Sequence, residues 1–185
     1  MKSGVLIFFV SLILLVFCTI GSAAEKIYDI GPGDVIEISV WKDPELSRQL
    51  VVPPDGIISF PLIGSNNIKR FTVPELRKIV TQKLSEFIPD ATVTIMLIEI
   101  NSLKAYVIGK VNNPGEFDIN METNVMQILA KAGGLNAFAS AGNIKILRQE
   151  ENKIVKIPFH YGQVEKGKHL DQNIILKPGD VVVVP

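Results

Sequence analysis

Cysteine is almost missing from this chain. Of 185 residues one is cysteine, Cys18, and nothing in the chain can pair with it. A disulfide scaffold and a cysteine-based zinc site are both excluded. Histidine is nearly as scarce, with His160 and His169 the two copies. Both lie in polar sequence, away from carboxylates at ligand spacing, and read as surface residues because zinc takes three or four ligands. An excess of one charge is missing too: 19 bases balance 19 acids. The overall field therefore gives no reason to expect nucleic acid or an anionic membrane surface as a partner. What the chain does have is apolar content, 47%, enough for folded cores at a length that allows one or two small domains.

The N-terminus carries a sorting pattern. Lys2 precedes an apolar run from Val5 to Ile20, followed by Gly21-Ser22-Ala23-Ala24 and the charged pair Glu25-Lys26. A basic start, an apolar centre and small residues before a polar segment make a secretory signal, with Ser22 and Ala24 at the cleavage positions. The run of 16 residues is shorter than the roughly 20 that span a bilayer; an uncleaved anchor is the alternative. Phe17 before Cys18 does not suit a lipoprotein signal, so Cys18 belongs to the discarded segment. Loss of residues 1–24 takes one base, Lys2, and no acid, leaving a net charge of −1 and no thiol. That composition suits an oxidising compartment.

Beyond residue 25 two mixed halves follow. In the first, Gly31-Pro32-Gly33-Asp34 is a turn, and Ile36, Ile38 and Val40 alternate with Glu37, Ser39 and Trp41 as in a half-buried strand. Pro54-Asp55-Gly56 turns into Ile57–Phe60, which Pro61 ends or confines to an edge. Thr72 and Glu75 have the spacing of a capping box, and Val73, Leu76, Val80, Leu84 and Phe87 form one apolar stripe. The spacing predicts a helix that runs until Pro89, with Arg77, Lys78, Lys83 and Glu86 on its solvated face. Ala91 to Ile100 reads as a strand.

In the second half, Lys104 to Val111 and Glu116 to Ile119 flank Asn112-Asn113-Pro114-Gly115 as a hairpin. Val125, Ile128, Leu129 and Ala132 face one way on a short helix stopped by Gly133-Gly134. Ile144 to Arg148 and Ile154 to Phe159 are strand candidates, and Lys177-Pro178-Gly179-Asp180 turns into Val181 to Val184. The tetrapeptide Pro-Gly-Asp-Val thus occurs twice, at Pro32 and Pro178; it is too short to count as a repeat and reads as a common turn before a strand.

Chemistry is harder to find. Gly162 to Lys168 fits most of a phosphate-binding loop, but His169 stands where a hydroxyl must meet magnesium, and no amphipathic helix follows. It reads as a polar loop. Gly133-Gly134 closes a helix instead of opening one. Asp34 and Asp180 are turn residues rather than an acid–base pair. Trp41 could stack on a sugar, but an aromatic in an alternating strand is more often core. No nucleophile elbow or other catalytic signature occurs. No catalytic, cofactor-binding or metal-binding residue is assigned, and the chain is read as a non-enzyme.

Tyr28 to Ile36 resembles the opening signature of bacterial outer-membrane polysaccharide export proteins, and so does Val52 to Gly64, with its turn, strand and Pro61-Leu62-Ile63-Gly64. Val107 to Phe117 is similar to the start of a soluble-ligand-binding β-grasp (SLBB) domain. Ala130 to Leu135 and Leu176 to Pro185 resemble its helix end and closing strand. The five segments follow in the family's order over nearly all of the chain after residue 24. The resemblance implies an α+β fold, with a mixed polysaccharide-export domain at 25–102 packed with an SLBB domain at 103–185, after a signal peptide at 1–24.

It also implies a ring-forming homo-oligomer that passes capsular or exopolysaccharide outward beside an inner-membrane polysaccharide co-polymerase. Longer members carry further β-grasp domains, a lipidated cysteine and a C-terminal amphipathic helix; this sequence has one β-grasp segment, no convincing lipid site, and ends at its last strand. The expectation is a periplasmic ring or adaptor at the cell envelope, docking under a separate outer-membrane channel, without a spanning segment of its own. A soluble periplasmic carbohydrate-binding module is the alternative. An exported hydrolase lacks an identifiable acid–base pair.

Overall fold

The computed structural model describes residues 28–150 and 153–185; the signal segment and Cys18 lie outside them. Two hydrophobic cores form. One draws its buried side chains from Ile30 to Ile95, the other from Ala105 to Val184. Helices and mixed sheets make the fold α+β.

The first core is closed by a three-stranded antiparallel sheet in the order β2-β1-β5. Strand β1 (Val35–Val40) buries Ile36, Ile38 and Val40 and turns the alternate residues outward, as its two-residue period requires. The two residues Trp41 and Lys42 lead into β2 (Asp43–Val51), with Lys42 at φ 65°. Strand β2 has no clean period in the sequence because its register slips between Ile38 and Val40. The hydroxyl of Ser47 fills the break, accepting from the amide of Val40 at 3.0 Å. Pro44 is tolerated because β2 is an edge strand.

Strands β3 (Ile57–Phe60) and β4 (Gly64–Asn67) form a separate hairpin, with Ile58 and Phe60 buried and Pro61 ending β3 as expected. Helix α1 (Val73–Leu84) starts at the Thr72–Glu75 capping box and buries Leu76, Val80 and Leu84. It ends five residues before Pro89. The amides of Phe87 and Ile88 both return to the Leu84 carbonyl, and the Ser85 hydroxyl turns back onto that of Gln82. Phe87 is therefore off the stripe and 55% exposed. Strand β5 (Val93–Glu99) completes the sheet beside β1.

The second core lies under a five-stranded sheet ordered β7-β6-β10-β8-β9. The expected hairpin is β6 (Lys104–Gly109) with β7 (Gly115–Asp118). Helix α2 (Val125–Lys131) has its own capping box, Asn124 with Gln127, and buries Val125, Ile128 and Leu129. Strands β8 (Ile144–Glu150) and β9 (Lys153–Phe159) pair antiparallel. Strand β10 (Val181–Val184) enters between β6, to which it is parallel, and β8, to which it is antiparallel. Its central place explains the unbroken valine run: Val182 and Val184 are buried, and Val181 and Val183 are half-covered.

The stretch read as a polar loop at 162–168 is in part helical. Helix α3 (Tyr161–Glu165) occupies its start and buries Val164 in the second core. One apolar anchor in a polar context is enough to hold a single turn against a packed face.

Candidate functional site

The two Pro-Gly-Asp-Val turns are built alike. In each, the aspartate amide bonds to the carbonyl three residues back, at 3.2 Å in Asp34 and 3.1 Å in Asp180. Each carboxylate also accepts from that third residue's amide, Gly31 and Lys177 respectively, both at 2.8 Å. Glycine at φ 90° and 84° makes the turn possible. Both aspartates are buried, at 0% and 1% exposure, which a simple surface turn does not require.

Their remaining partners differ. Asp34 Oδ1 accepts from the amides of Asn101 at 3.0 Å and Ser102 at 2.9 Å, and Oδ2 accepts from the Tyr28 hydroxyl. It thereby ties the strand opening to the segment joining the two cores. Gly31 lies so close to that segment that a Cβ on it would meet Ser102 Oγ at 2.4 Å. Burial, then donation to Asp34, holds the Tyr28 phenol well above its ordinary value of 10.0. Asp180 instead takes a fork from Arg148, Nε at 3.0 Å and Nη2 at 2.7 Å, while Nη2 also reaches the Ile175 carbonyl at 3.0 Å. Hydrogen bonding to Asp180 raises the guanidinium further above its usual range. Both carboxylates are thus saturated by structural donors, and they do not face one another as an acid–base pair.

The other candidates separate in the same way. His160 and His169 are exposed, and no group of three or more potential metal ligands occurs among the described residues. Gly162 lies within α3, so the phosphate-loop look-alike has no loop to offer. Gly133 and Gly134 close α2, with the Gly134 amide on the Leu129 carbonyl at 2.9 Å. Arg77, Lys78 and Glu86 are exposed as expected, but Lys83 is half-buried and donates to Asn66 Oδ1 beneath the β3–β4 hairpin.

Trp41 reverses its expectation. It is 72% exposed at the tip of the β1–β2 hairpin, because β1 delivers it in register with the outward residues Glu37 and Ser39 and then stops. A shallow depression of about 280 Å³ lies beside it, lined by Ser39, Asp43, Ser47, Thr92 and Thr94 among others. Its amide is anchored to the Thr92 carbonyl at 2.9 Å. Further along the same face Glu37 accepts from Ser39 at 3.2 Å and from Gln49 at 3.0 Å.

Comparison with known proteins follows the two cores. Residues 22–97 match the family described as polysaccharide biosynthesis/export protein, and residues 103–184 match the SLBB domain. The chain is similar to the EPS I polysaccharide export outer membrane protein EpsA of Ralstonia solanacearum, 26% identical over 85% of this chain and 47% of that one. It also resembles the polysialic acid transport protein KpsD of Escherichia coli, 31% identical over 59% of this chain and 20% of that one. The chain spans about half the length of the Ralstonia relatives it matches. With both family segments present in order, the chain belongs to the bacterial polysaccharide export proteins and carries an SLBB domain.

Proposed function

We propose that the chain is a non-enzymatic component of a capsular or exopolysaccharide export complex, acting in the periplasm as a ring or adaptor. The observation that carries this reading is the ordered pair of export and SLBB segments in one polypeptide, in company with relatives named for polysaccharide export and transport. The same order supports domains at 25–102 and 103–185. Its partners would be the polysaccharide, further copies of itself, an inner-membrane polysaccharide co-polymerase and a separate outer-membrane channel. Among the described residues no helix is long and apolar enough to cross a membrane.

Self-association is supported by the outer face of the five-stranded sheet. Registers align Tyr106, Val181 and Leu147 in one row, with Glu116 at its β7 end, and Ile108, Val183 and Lys145 in the next. Tyr106 and Ile108 are 39% and 47% exposed, and a contact between copies would cover them. Light scattering on the purified chain, with co-purification from membranes, tests the ring reading. A multiple of the monomer mass is expected; a strict monomer without membrane partners would favour the alternative, a soluble carbohydrate-binding module.

A further inference from the structure

The outward face of the β2-β1-β5 sheet sets exposed Trp41, Met96 and Ile98 beside hydroxyl-bearing side chains. Trp41 is the single tryptophan of the chain, and it stands among Ser39, Asp43, Ser47, Thr92 and Thr94, with Lys42 and Pro44 beside them. An aromatic plate beside hydroxyls and carboxylates suits a ligand with one apolar face and a rim of hydroxyls, which is the chemistry of a pyranose ring.

We infer that Trp41 and the adjoining outward residues of β1 and β5 form a saccharide-binding surface. A sugar ring lies against the indole, and its hydroxyls bond Ser39, Asp43 and Thr94. From Trp41 to Glu37 the face extends about 13 Å, at about 3.3 Å per residue, longer than one ring. Glu37 keeps acceptor capacity after its bonds from Ser39 and Gln49, so the strip continues as a track for successive sugar units. The inference rests on the export reading for the identity of the polymer and deepens it by naming where the chain is touched.

Titration of the full chain with polysaccharide recovered from the medium of the producing strain, and with cellohexaose as a defined probe, reads Trp41 directly by its fluorescence. A saturable shift in emission is expected. In affinity electrophoresis Trp41→Ala should weaken binding about tenfold, the equivalent of about 1.4 kcal/mol of stacking, with Trp41→Phe intermediate. Thr94→Arg, which fills the depression and leaves the indole in place, should weaken it as well. Unchanged emission at saturating polymer, or equal binding by wild type, Trp41→Ala and Thr94→Arg, would overturn the inference. So would a Trp41→Ala protein whose assembly mass falls while its binding holds, since the face would then be a protein contact. The two readings fail separately. If deleting the gene leaves secretion intact, export is wrong. If deletion stops secretion and Trp41→Ala restores it fully with normal binding, the surface is wrong.

Discussion

Replacing Asp34 by alanine would remove one acceptor from four donors. These are the amides of Gly31, Asn101 and Ser102 and the hydroxyl of Tyr28, all partly buried. An unmet buried donor costs about 1–3 kcal/mol; the Tyr28 hydroxyl can fall back on Ser102 Oγ at 2.7 Å, so at the low end that partial burial implies, the three amides total about 3 kcal/mol. Domains of this kind are stable by about 5–15 kcal/mol, so a large share of the margin would go. Asp34→Asn keeps one oxygen for the Asn101 and Ser102 amides, and the Tyr28 hydroxyl can turn to accept; it should cost about 1–2 kcal/mol. Urea melts give the magnitudes, with exposed Glu86→Ala as the control. Hydrogen exchange gives the location, because the Asn101 and Ser102 amides should lose protection in the alanine variant. A melt matching wild type, with both amides still protected, would refute the clamp.

Arg148→Ala would leave Asp180 buried without its fork and should cost about 3–5 kcal/mol in the same melts, and Arg148→Lys should not restore it because one ammonium cannot make two parallel bonds. Thr72→Ala should cost about 1 kcal/mol through the lost cap, and Leu84→Ala about 2–5 kcal/mol, while Lys78→Ala stays near zero; equal melts for all three would place α1 wrongly. Spectrophotometric alkaline titration should show a late-ionising phenol that disappears in Tyr28→Phe. A phenol whose value is raised on folding stabilises the native chain fully below its unfolded value of 10.0, and that contribution is lost as pH climbs above it. Titration of every tyrosine at the ordinary value would contradict the buried bond to Asp34.

Where structure is set by neighbours in sequence, it was readable. The Thr72–Glu75 box and the Ile36-Ile38-Val40 alternation act within one turn or one strand, and both stand as expected. The Asn124–Gln127 box carried the same signal in other residue types. Strand β2 was hidden by the register slip opposite Ser39 and by Pro44, features that matter only once β1 is beside it. Phe87 matched the helical spacing, but periodicity does not report that Ser85 ends the helix first. The burial of Asp34 depends on donors 67 and 68 residues away, and nothing local announces them. Trp41 falls on the outward side of the same alternation that buries Ile36, Ile38 and Val40. Parity alone placed it with Glu37 and Ser39, against the habit of assigning aromatics to cores.

Measuring polysaccharide inside and outside cells that lack this gene, with and without the intact gene restored, tests the central claim most directly. An export component predicts polymer lost from the medium, retained within the envelope or the cell, and returned to the medium on complementation, with its chain length unchanged. Normal secretion in the deletion strain, or secreted polymer of altered chain length, would contradict it.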